Sequence, residues 1–305
     1  MDETIEQPPS APKVSAIIVS YNCAAALRKC LAALEATRER EKLEIVVVDM
    51  GSRDDCPRMD AEFPNVIMMR LERHFGMAKS LNIGIRTAQA EYLLLLDPNV
   101  EVGPRTVAEL AARLDTETDA VAVCPLIVDP EGRPESVVRA LPTRERPFCD
   151  QTIPLDLGAE VISVPVADGG AVMARKFFIR GLNYFDERFG HHLLDVELGF
   201  QIRRASKKTL LLPRVQVVRR PPEDSFPLDT ASRAALAADR ALAAATFARK
   251  HFGAVAGIKL RLRITLGAVG RALKALFTMG EVGYEFGRMS AIVSGQKIDG
   301  SQRAL

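Results

Sequence analysis

Three clusters of polar residues each follow an apolar run in the N-terminal third of the sequence. Tyr21 and Asn22 follow VSAIIVS, Asp49 opens a polar stretch after EIVVV, and Asp97 and Asn99 follow YLLLL. A carboxylate at such a position can accept hydrogen bonds from a ligand, and together with an amide oxygen it can bind a divalent cation. A simple β-turn is the competing interpretation, because Asp, Gly, Ser and Pro favour turns.

The apolar runs before these clusters have the composition of buried strands. VSAIIVSY, EIVVVDM and EYLLLLD are almost continuously apolar, as in strands that are covered on both faces of a parallel sheet. Apolar residues at helical spacing within residues 24–36 and 77–90 predict helices between them. The alternation predicts an α/β fold with a mostly parallel sheet, in which ligands bind at the carboxyl ends of the strands. The three clusters should therefore share one edge.

Composition sets limits on the class of protein. Of the 305 residues 48% are hydrophobic and 26% are charged, as in an ordinary globular protein with one large domain and an appendage. A formal net charge of +2 argues against a nucleic-acid partner, which requires a concentrated basic face. The five cysteines form no C-x-x-C pair, so they predict neither a zinc knuckle nor a redox dithiol.

The ends of the chain lead to further expectations. The acidic, proline-containing start lacks the pattern of a signal peptide, and no run of 18 apolar residues occurs, so we expect a cytoplasmic protein. Residues 1–12 are predicted to be a disordered tail. A domain is expected at 13–228, with a nucleotide half at about 13–125 and an acceptor half at about 126–228. An alanine-rich shift then predicts a basic, mainly helical region at 229–305.

Six motifs occur in a fixed order along residues 14–225. They are VSAIIVSYN, VVVDMGSRD, FGMAKSLNIGIRTA, LLLLDPNV, DGGAVMAR and NYFDERFGHHLLDVELGFQIRRA. The ordered set resembles the family 2 glycosyltransferases, in particular their bacterial rhamnosyltransferase-like branch. The resemblance implies the Rossmann-like nucleotide-diphospho-sugar transferase fold. It also implies displacement at the anomeric carbon of a UDP- or dTDP-sugar, with inversion, by a hydroxyl of a polysaccharide or glycolipid acceptor.

The same resemblance assigns roles to individual residues. Asp195 would be the general base, and Mg²⁺ or Mn²⁺ would be bound by Asp97 and Asn99. His191, His192 and Glu197 would lie on the acceptor side. The residues expected to bind the nucleotide sugar are Val19, Ser20, Tyr21, Asp49, Asn82, Asp97 and Arg219.

Three positions depart from the family pattern. Asp97-Pro98-Asn99 keeps one carboxylate where the related branch commonly has Asn-Pro-Asp, and Leu194 replaces the acid that precedes the base. Without that acid, the pKa of Asp195 is expected to fall. Arg219 stands where a metal-binding His is expected, and it would either pair with the diphosphate or remain a solvated surface residue. The alternative function is a non-catalytic relative that binds nucleotide or a partner enzyme.

Residues 241–280 carry seven Lys or Arg residues and no acidic residue. The same stretch contains an apolar stripe at helical spacing, which consists of Leu262, Leu266, Val269, Leu273 and Leu276. Such a stripe is typical both of a helix at a membrane interface and of one packed on the main domain. IKLRLRITL also alternates with period two, so a strand remains an alternative there. We expect contact with an anionic membrane surface, on the inner face of the cell membrane.

Overall fold

A computed structural model of the chain describes residues 11–136, 138–148, 151–221, 230–278 and 281–295. The predicted N-terminal tail lies outside the described residues up to position 10, and the predicted boundary between positions 228 and 229 also lies outside them.

Nine strands of the described residues form one sheet. In chain order they are β1 (Val14–Ser20), β2 (Leu43–Asp49), β3 (Val66–Arg70), β4 (Tyr92–Leu96), β5 (Val100–Val102), β6 (Ala120–Val128), β7 (Ile162–Val164), β8 (Ala171–Arg175) and β9 (Lys208–Arg219). The spatial order is β3-β2-β1-β4-β8-β6-β9-β5, and β7 pairs with β9.

Most of these strands run in one direction. β1 is parallel to β2 and β4, β2 is parallel to β3, and β6 is parallel to β9. β8 is antiparallel to both β4 and β6, and β5 and β7 are antiparallel to β9. All seven residues of β1 are buried, as the apolar run required for a strand that is covered on both faces. The predicted mostly parallel α/β sheet is confirmed.

Helices cover both faces of the sheet. In chain order they are α1 (Ala24–Glu35), α2 (Met59–Glu62), α3 (Met77–Thr87), α4 (Thr106–Thr116), α5 (Lys176–Gly181), α6 (Leu194–Arg204), α7 (Thr230–Phe252), α8 (Ala254–Thr278) and α9 (Val282–Ser294). α1 and α4 pack on one face, and α3, α6 and α7 pack on the other. Gly84 permits the close approach of α3, because an added Cβ would lie 2.6 Å from Ile17 Cγ2.

The C-terminal region is helical in its described part, as predicted. Residues 258–266, whose alternation also allowed a strand, belong to α8. α7 is partly continuous with the main core, since Phe247 is fully buried in the same cluster as Phe189 and Val196. α8 and α9 pack against α7 through a further apolar cluster that includes Leu260 and Ile292. No helix in the described part of the chain is both long enough and apolar enough to cross a membrane.

Candidate active site

A cavity of about 600 Å³ lies between the sheet and the C-terminal helices. Its sheet side is formed at the carboxyl ends of β1 and β4, where Val19 and Asp97 line it. Its opposite side is formed by α6, α7 and α9, and by the loop that carries His191 and His192. Asp195 also lines this cavity, so the predicted base and one predicted donor-side carboxylate share one space.

Asp195 lies in the first turn of α6, which follows Leu193 in the left-handed conformation with φ 67°. Its Oδ1 accepts a hydrogen bond of 2.8 Å from the backbone N–H of Val196. Burial raises the pKa of Asp195 above its ordinary value, and the negative charge of Asp168 raises it further. The backbone N–H of Val196 and the charge of Arg139 act in the opposite direction. The pKa therefore rises overall, and a raised pKa suits a general base that operates near neutral pH.

The raised pKa of Asp195 is the opposite of the lowered pKa that the sequence predicted from the lack of an acid at Leu194. Leu194 is buried and supplies no charge, but the carboxylate of Asp168 lies close enough to act on Asp195. Sequence reasoning did not assign Asp168 a role. Its available signal was the position directly before two glycines in DGGAVMAR.

Asp168 also fixes the position of the Arg219 side chain through an ion pair. An Nη2 of Arg219 donates to Asp168 Oδ1 at 2.6 Å, and the same oxygen accepts the backbone N–H of Gly170 at 2.9 Å. An added Cβ at Gly170 would lie 2.3 Å from Arg219 Nη2, so a side chain there would displace the guanidinium from its present position. The carbonyl of Gly170 accepts the N–H of Asp97 at 2.9 Å, which links Asp97 to the same turn. Arg219 is therefore ion-paired with Asp168, and neither of these two residues is among those that line the cavity.

The segment from Asp97 to Asn99 forms a turn, which the sequence allowed as the alternative to a cation site. Asp97 Oδ1 accepts the backbone N–H of Asn99 at 2.8 Å and its side-chain Nδ2 at 2.9 Å. Asn99 lines a separate small cleft with Glu101 and Arg220 rather than the main cavity. Its Oδ1 is buried and has no hydrogen-bond partner among the described residues.

These contacts bear on the expected metal. Within the described residues, no group of three or more His, Cys, Asp or Glu side chains could hold an ion. Asp97 offers one carboxylate at the cavity, and Asn99 directs its Nδ2 rather than its Oδ1 at that carboxylate. A single carboxylate fits an ion like Mg²⁺ that takes most of its ligands from substrate phosphates and water.

Asp49 is buried at the end of β2 and is held by its own turn. Its carboxylate accepts hydrogen bonds from the backbone N–H groups of Gly51 and Ser52, at 3.1 and 3.0 Å, and from the hydroxyls of Ser52 and Ser20. Asp49 and Ser20 are absent from the cavity lining. Their expected contact with the nucleotide stays a prediction.

A chain of rings connects Tyr21 with the loop that carries His191. The ring of Tyr21 meets that of His74 edge-on at 5.0 Å, and His74 lies 4.8 Å from His191. Burial lowers the pKa of His74 and of His191 to about 4 in each case, and it also lowers the pKa of His192. His74 and His191 are therefore neutral at pH 7 and supply no positive charge.

Two further predicted residues lie away from the cavity lining. Asn82 is buried and forms reciprocal hydrogen bonds of 2.9 Å with the backbone N–H and C=O of Phe185. Glu197 accepts Lys250 Nζ at 2.7 Å and His251 Nε2 at 2.6 Å, both from α7. Burial by itself would raise the pKa of Glu197, but the bonds from His251, Lys250 and Gln201 outweigh it and lower the pKa. Both side chains hold elements together in the structure.

Three arginines also line the cavity, and sequence reasoning did not assign them to it. Arg139 comes from the loop between β6 and β7, Arg240 from α7 and Arg288 from α9. No motif marks these positions, because their meeting depends on how α7 and α9 pack.

Comparison with known proteins identifies the family. Residues 15–179, more than half of the chain, match the family described as Glycosyl transferase family 2. The chain belongs to this family. It is 25% identical over 228 residues to an N-acetylglucosaminyl-diphospho-decaprenol L-rhamnosyltransferase of Mycobacterium tuberculosis, which covers 66% of this chain and 74% of that protein.

A second relative matches over a shorter stretch. It is an undecaprenyl-phosphate 4-deoxy-4-formamido-L-arabinose transferase of Klebsiella pneumoniae, 28% identical over 120 residues, which is 37% of each chain.

Solved structures agree on the fold. The mannosyltransferase PcManGT from Pyrobaculum calidifontis, solved with GDP-Man and Mn²⁺, gives a TM-score of 0.56 at 18% identity and covers 96% of this chain and 92% of its own. GalNAc-T7, solved with UDP, GalNAc and Mn²⁺, gives a TM-score of 0.60 at 18% identity and covers 82% of this chain and 54% of its own. The predicted nucleotide-diphospho-sugar transferase fold is confirmed.

Proposed function

We propose that this family 2 glycosyltransferase transfers a sugar from a UDP- or dTDP-sugar to a hydroxyl of a lipid-linked or polysaccharide acceptor, with inversion. The observation that supports it is the shared cavity of Asp97 and Asp195. Asp97 follows a strand at the carboxyl edge of the sheet, where α/β proteins bind ligands. Asp195 lies across the cavity, where an acceptor hydroxyl can reach it. The two rhamnosyl- and arabinosyl-type relatives have lipid-linked sugars or lipid phosphates in their names.

In the proposed reaction, Asp195 removes the proton of the acceptor hydroxyl as its oxygen attacks the anomeric carbon. The new C–O bond forms while the bond from that carbon to the diphosphate oxygen breaks, so the nucleoside diphosphate leaves with the electron pair. Attack from the opposite face inverts the anomeric centre. Burial and the charge of Asp168 support this role by raising the affinity of Asp195 for the proton.

Charge on the leaving diphosphate needs compensation. A divalent ion such as Mg²⁺ or Mn²⁺, when bound beside Asp97 and Asn99, supplies electrostatic stabilisation of that charge. Arg219 offers a second source, since its side chain is 31% exposed and a guanidinium has five N–H donors, of which Asp168 takes one. Val19, Ser20, Tyr21, Asp49 and Asn82 remain the proposed nucleotide side. His191 and His192 line the acceptor side.

Asp195→Asn provides the test. We expect this nearly isosteric change to abolish transfer while donor binding persists, because it removes proton acceptance alone. Wild-type activity should fall on acidification, with a midpoint above the ordinary pKa of an aspartate. The measurements are release of UDP or dTDP from nucleotide sugars and thermal shift with the same donors. Full turnover by Asp195→Asn would remove Asp195 from the chemistry. Donor binding by the wild type without release under any metal would favour the non-catalytic alternative.

We also propose a peripheral position on the inner face of the cell membrane. α8 exposes Leu262, Leu266 and Phe277 to solvent at 58%, 62% and 88%, and its 25 residues contain no acidic side chain. A helix with an exposed apolar face and basic flanks is typical of binding to anionic lipid.

A further inference from the structure

The cavity carries more positive charge on its C-terminal side than the proposed sugar transfer explains. Arg139, Arg240 and Arg288 line it from three separate segments of the chain. Within the described residues, none of these guanidinium groups makes a hydrogen bond or an ion pair with another side chain, and the Nε of Arg288 is buried without a partner. Arginines that make no side-chain ion pair within the described residues and line a concave site are suited to an anionic ligand, since phosphate matches the geometry of guanidinium.

Two of these arginines are close to the acceptor side of the cavity. The positive charge of Arg139 acts on Asp195, the proposed base, and that of Arg240 acts on His192 in the acceptor loop. Arg240 and Arg288 belong to helices beyond residue 179, where the match to the family ends. An anion at these groups would therefore adjoin the acceptor hydroxyl rather than the nucleotide.

The same cavity also has apolar lining. Phe148, Leu193, Ala237 and Ala241 are among the residues that line it. α8, with its exposed apolar stripe, packs against both of the helices that carry Arg240 and Arg288. A ligand with an anionic group between a sugar and a long apolar chain would satisfy both features at once.

We propose that Arg139, Arg240 and Arg288 bind the phosphate groups of a prenyl-diphosphate-linked sugar, the acceptor of the transfer. This inference rests on the proposed function and names its acceptor class. The diphosphate would fix the acceptor so that its sugar hydroxyl meets Asp195, while the prenyl chain leaves along the apolar side towards α8. Phosphates of the donor are the competing occupant, because the same chemistry would hold them.

Variants of single arginines show, in a transfer assay, whether the arginines bind the phosphates of the acceptor or those of the nucleotide sugar. Arg240→Gln and Arg288→Gln should each raise KM for a prenyl-diphosphate-linked sugar about tenfold or more, as loss of a charge-assisted hydrogen bond does. KM for the nucleotide sugar should not change. Arg249→Gln is the matched control, since Arg249 is an exposed arginine of α7 that is absent from the cavity lining. A rise in KM for the donor with none for the acceptor would assign the arginines to the nucleotide sugar and overturn the proposal.

A binding measurement keeps the proposal testable if no transfer is found. Farnesyl diphosphate, a short prenyl diphosphate, should raise the Tm of the full-length wild type and of Arg249→Gln. It should raise that of Arg240→Gln and Arg288→Gln much less. UDP should stabilise all four proteins equally. An equal Tm shift from inorganic diphosphate and farnesyl diphosphate would show a site for a bare anion and would overturn the lipid assignment. If the wild type transfers no sugar but still binds farnesyl diphosphate through these arginines, the proposed function is contradicted and the phosphate site remains.

Discussion

At the scale of single residues, Asp168 connects the charged groups that the proposed reaction uses. Its Oδ1 is paired with Arg219 at 2.6 Å, and its charge contributes to the raised pKa of Asp195. Gly169, the next residue in the chain, lies against Asp195, since an added Cβ there would be in ordinary contact with Asp195 Cβ at 3.7 Å. The family pattern places a second acid next to the base, where this chain has Leu194. Here the second acid near Asp195 is Asp168, which is far from it in the sequence.

The position of Arg219 leads to a prediction about metal dependence. Arg219→Ala should lower turnover on the order of a hundredfold, because one preorganised contact to the leaving charge is lost. Arg214→Ala is the matched control, since Arg214 is an exposed arginine of the same strand. The measurement is kcat with Mg²⁺, with Mn²⁺ and with EDTA. Activity that disappears in EDTA but survives Arg219→Ala would show that a metal dominates and that Arg219 has no such role.

At the scale of elements, a buried cluster of charged residues connects α7 to α6. Glu197 of α6 is 4% exposed and accepts bonds from Lys250 and His251 of α7. Lys250 also pairs with Asp186 at 2.8 Å, and Phe200 of α6 meets Phe247 of α7 edge-on at 5.2 Å. α7 also carries Arg240, which lines the cavity, so the contacts between α6 and α7 position part of the candidate site.

Glu197→Gln should therefore destabilise the protein by about 2 kcal/mol at pH 7, because the charge-assisted bonds from Lys250 and His251 are weakened while Lys250 keeps its pair with Asp186. The folded-state pKa of Glu197 is lowered, so its contribution is present above the unfolded pKa and is lost as pH falls through the folded one. Acidification below about pH 5 should consequently cost the variant less stability than the wild type. Denaturant unfolding at several pH values measures this. Glu62→Gln, at an exposed pair with Arg28, is the control and should change little. Equal stability losses in both variants would contradict the role of the cluster.

The first strands of the sheet could be predicted from the sequence, whereas the packing of α7 could not. β1 and β2 are continuous apolar runs, and such runs follow from burial on both faces alone. The alanine-rich sequence of α7 indicates a helix but carries no pattern that selects a partner. The contact of Glu197 with His251 spans 54 positions in the chain and depends on tertiary packing. For the same reason Asp195 could be predicted as a site residue, while Arg240 and Arg288 could not.

At the scale of the whole molecule, the cavity and the exposed stripe of α8 lie on connected helices. A lipid-linked acceptor would remain in the membrane while its sugar enters the cavity, so the proposed reaction would require the protein to stay at the lipid surface. Lys259, Arg261 and Arg263 are exposed residues of α8 close in sequence to Leu262, and they would supply the charge that anionic lipid attracts. Removal of residues after 240 would not test this cleanly, because the cut falls inside α7.

Substitution on the exposed face of α8 tests the membrane contact in the full-length chain. Leu262→Glu combined with Leu266→Glu should reduce flotation with anionic liposomes several-fold, because carboxylates replace apolar surface and are repelled by the lipid charge. Leu157→Glu combined with Phe177→Glu is the matched control, since these exposed residues, at 42% and 62%, lie on other parts of the surface. Binding of the wild type and of the control should weaken at high salt and on neutral liposomes. If the α8 variant floats as well as the control while both keep the same Tm, the stripe does not bind lipid, and the acceptor must reach the cavity by another face.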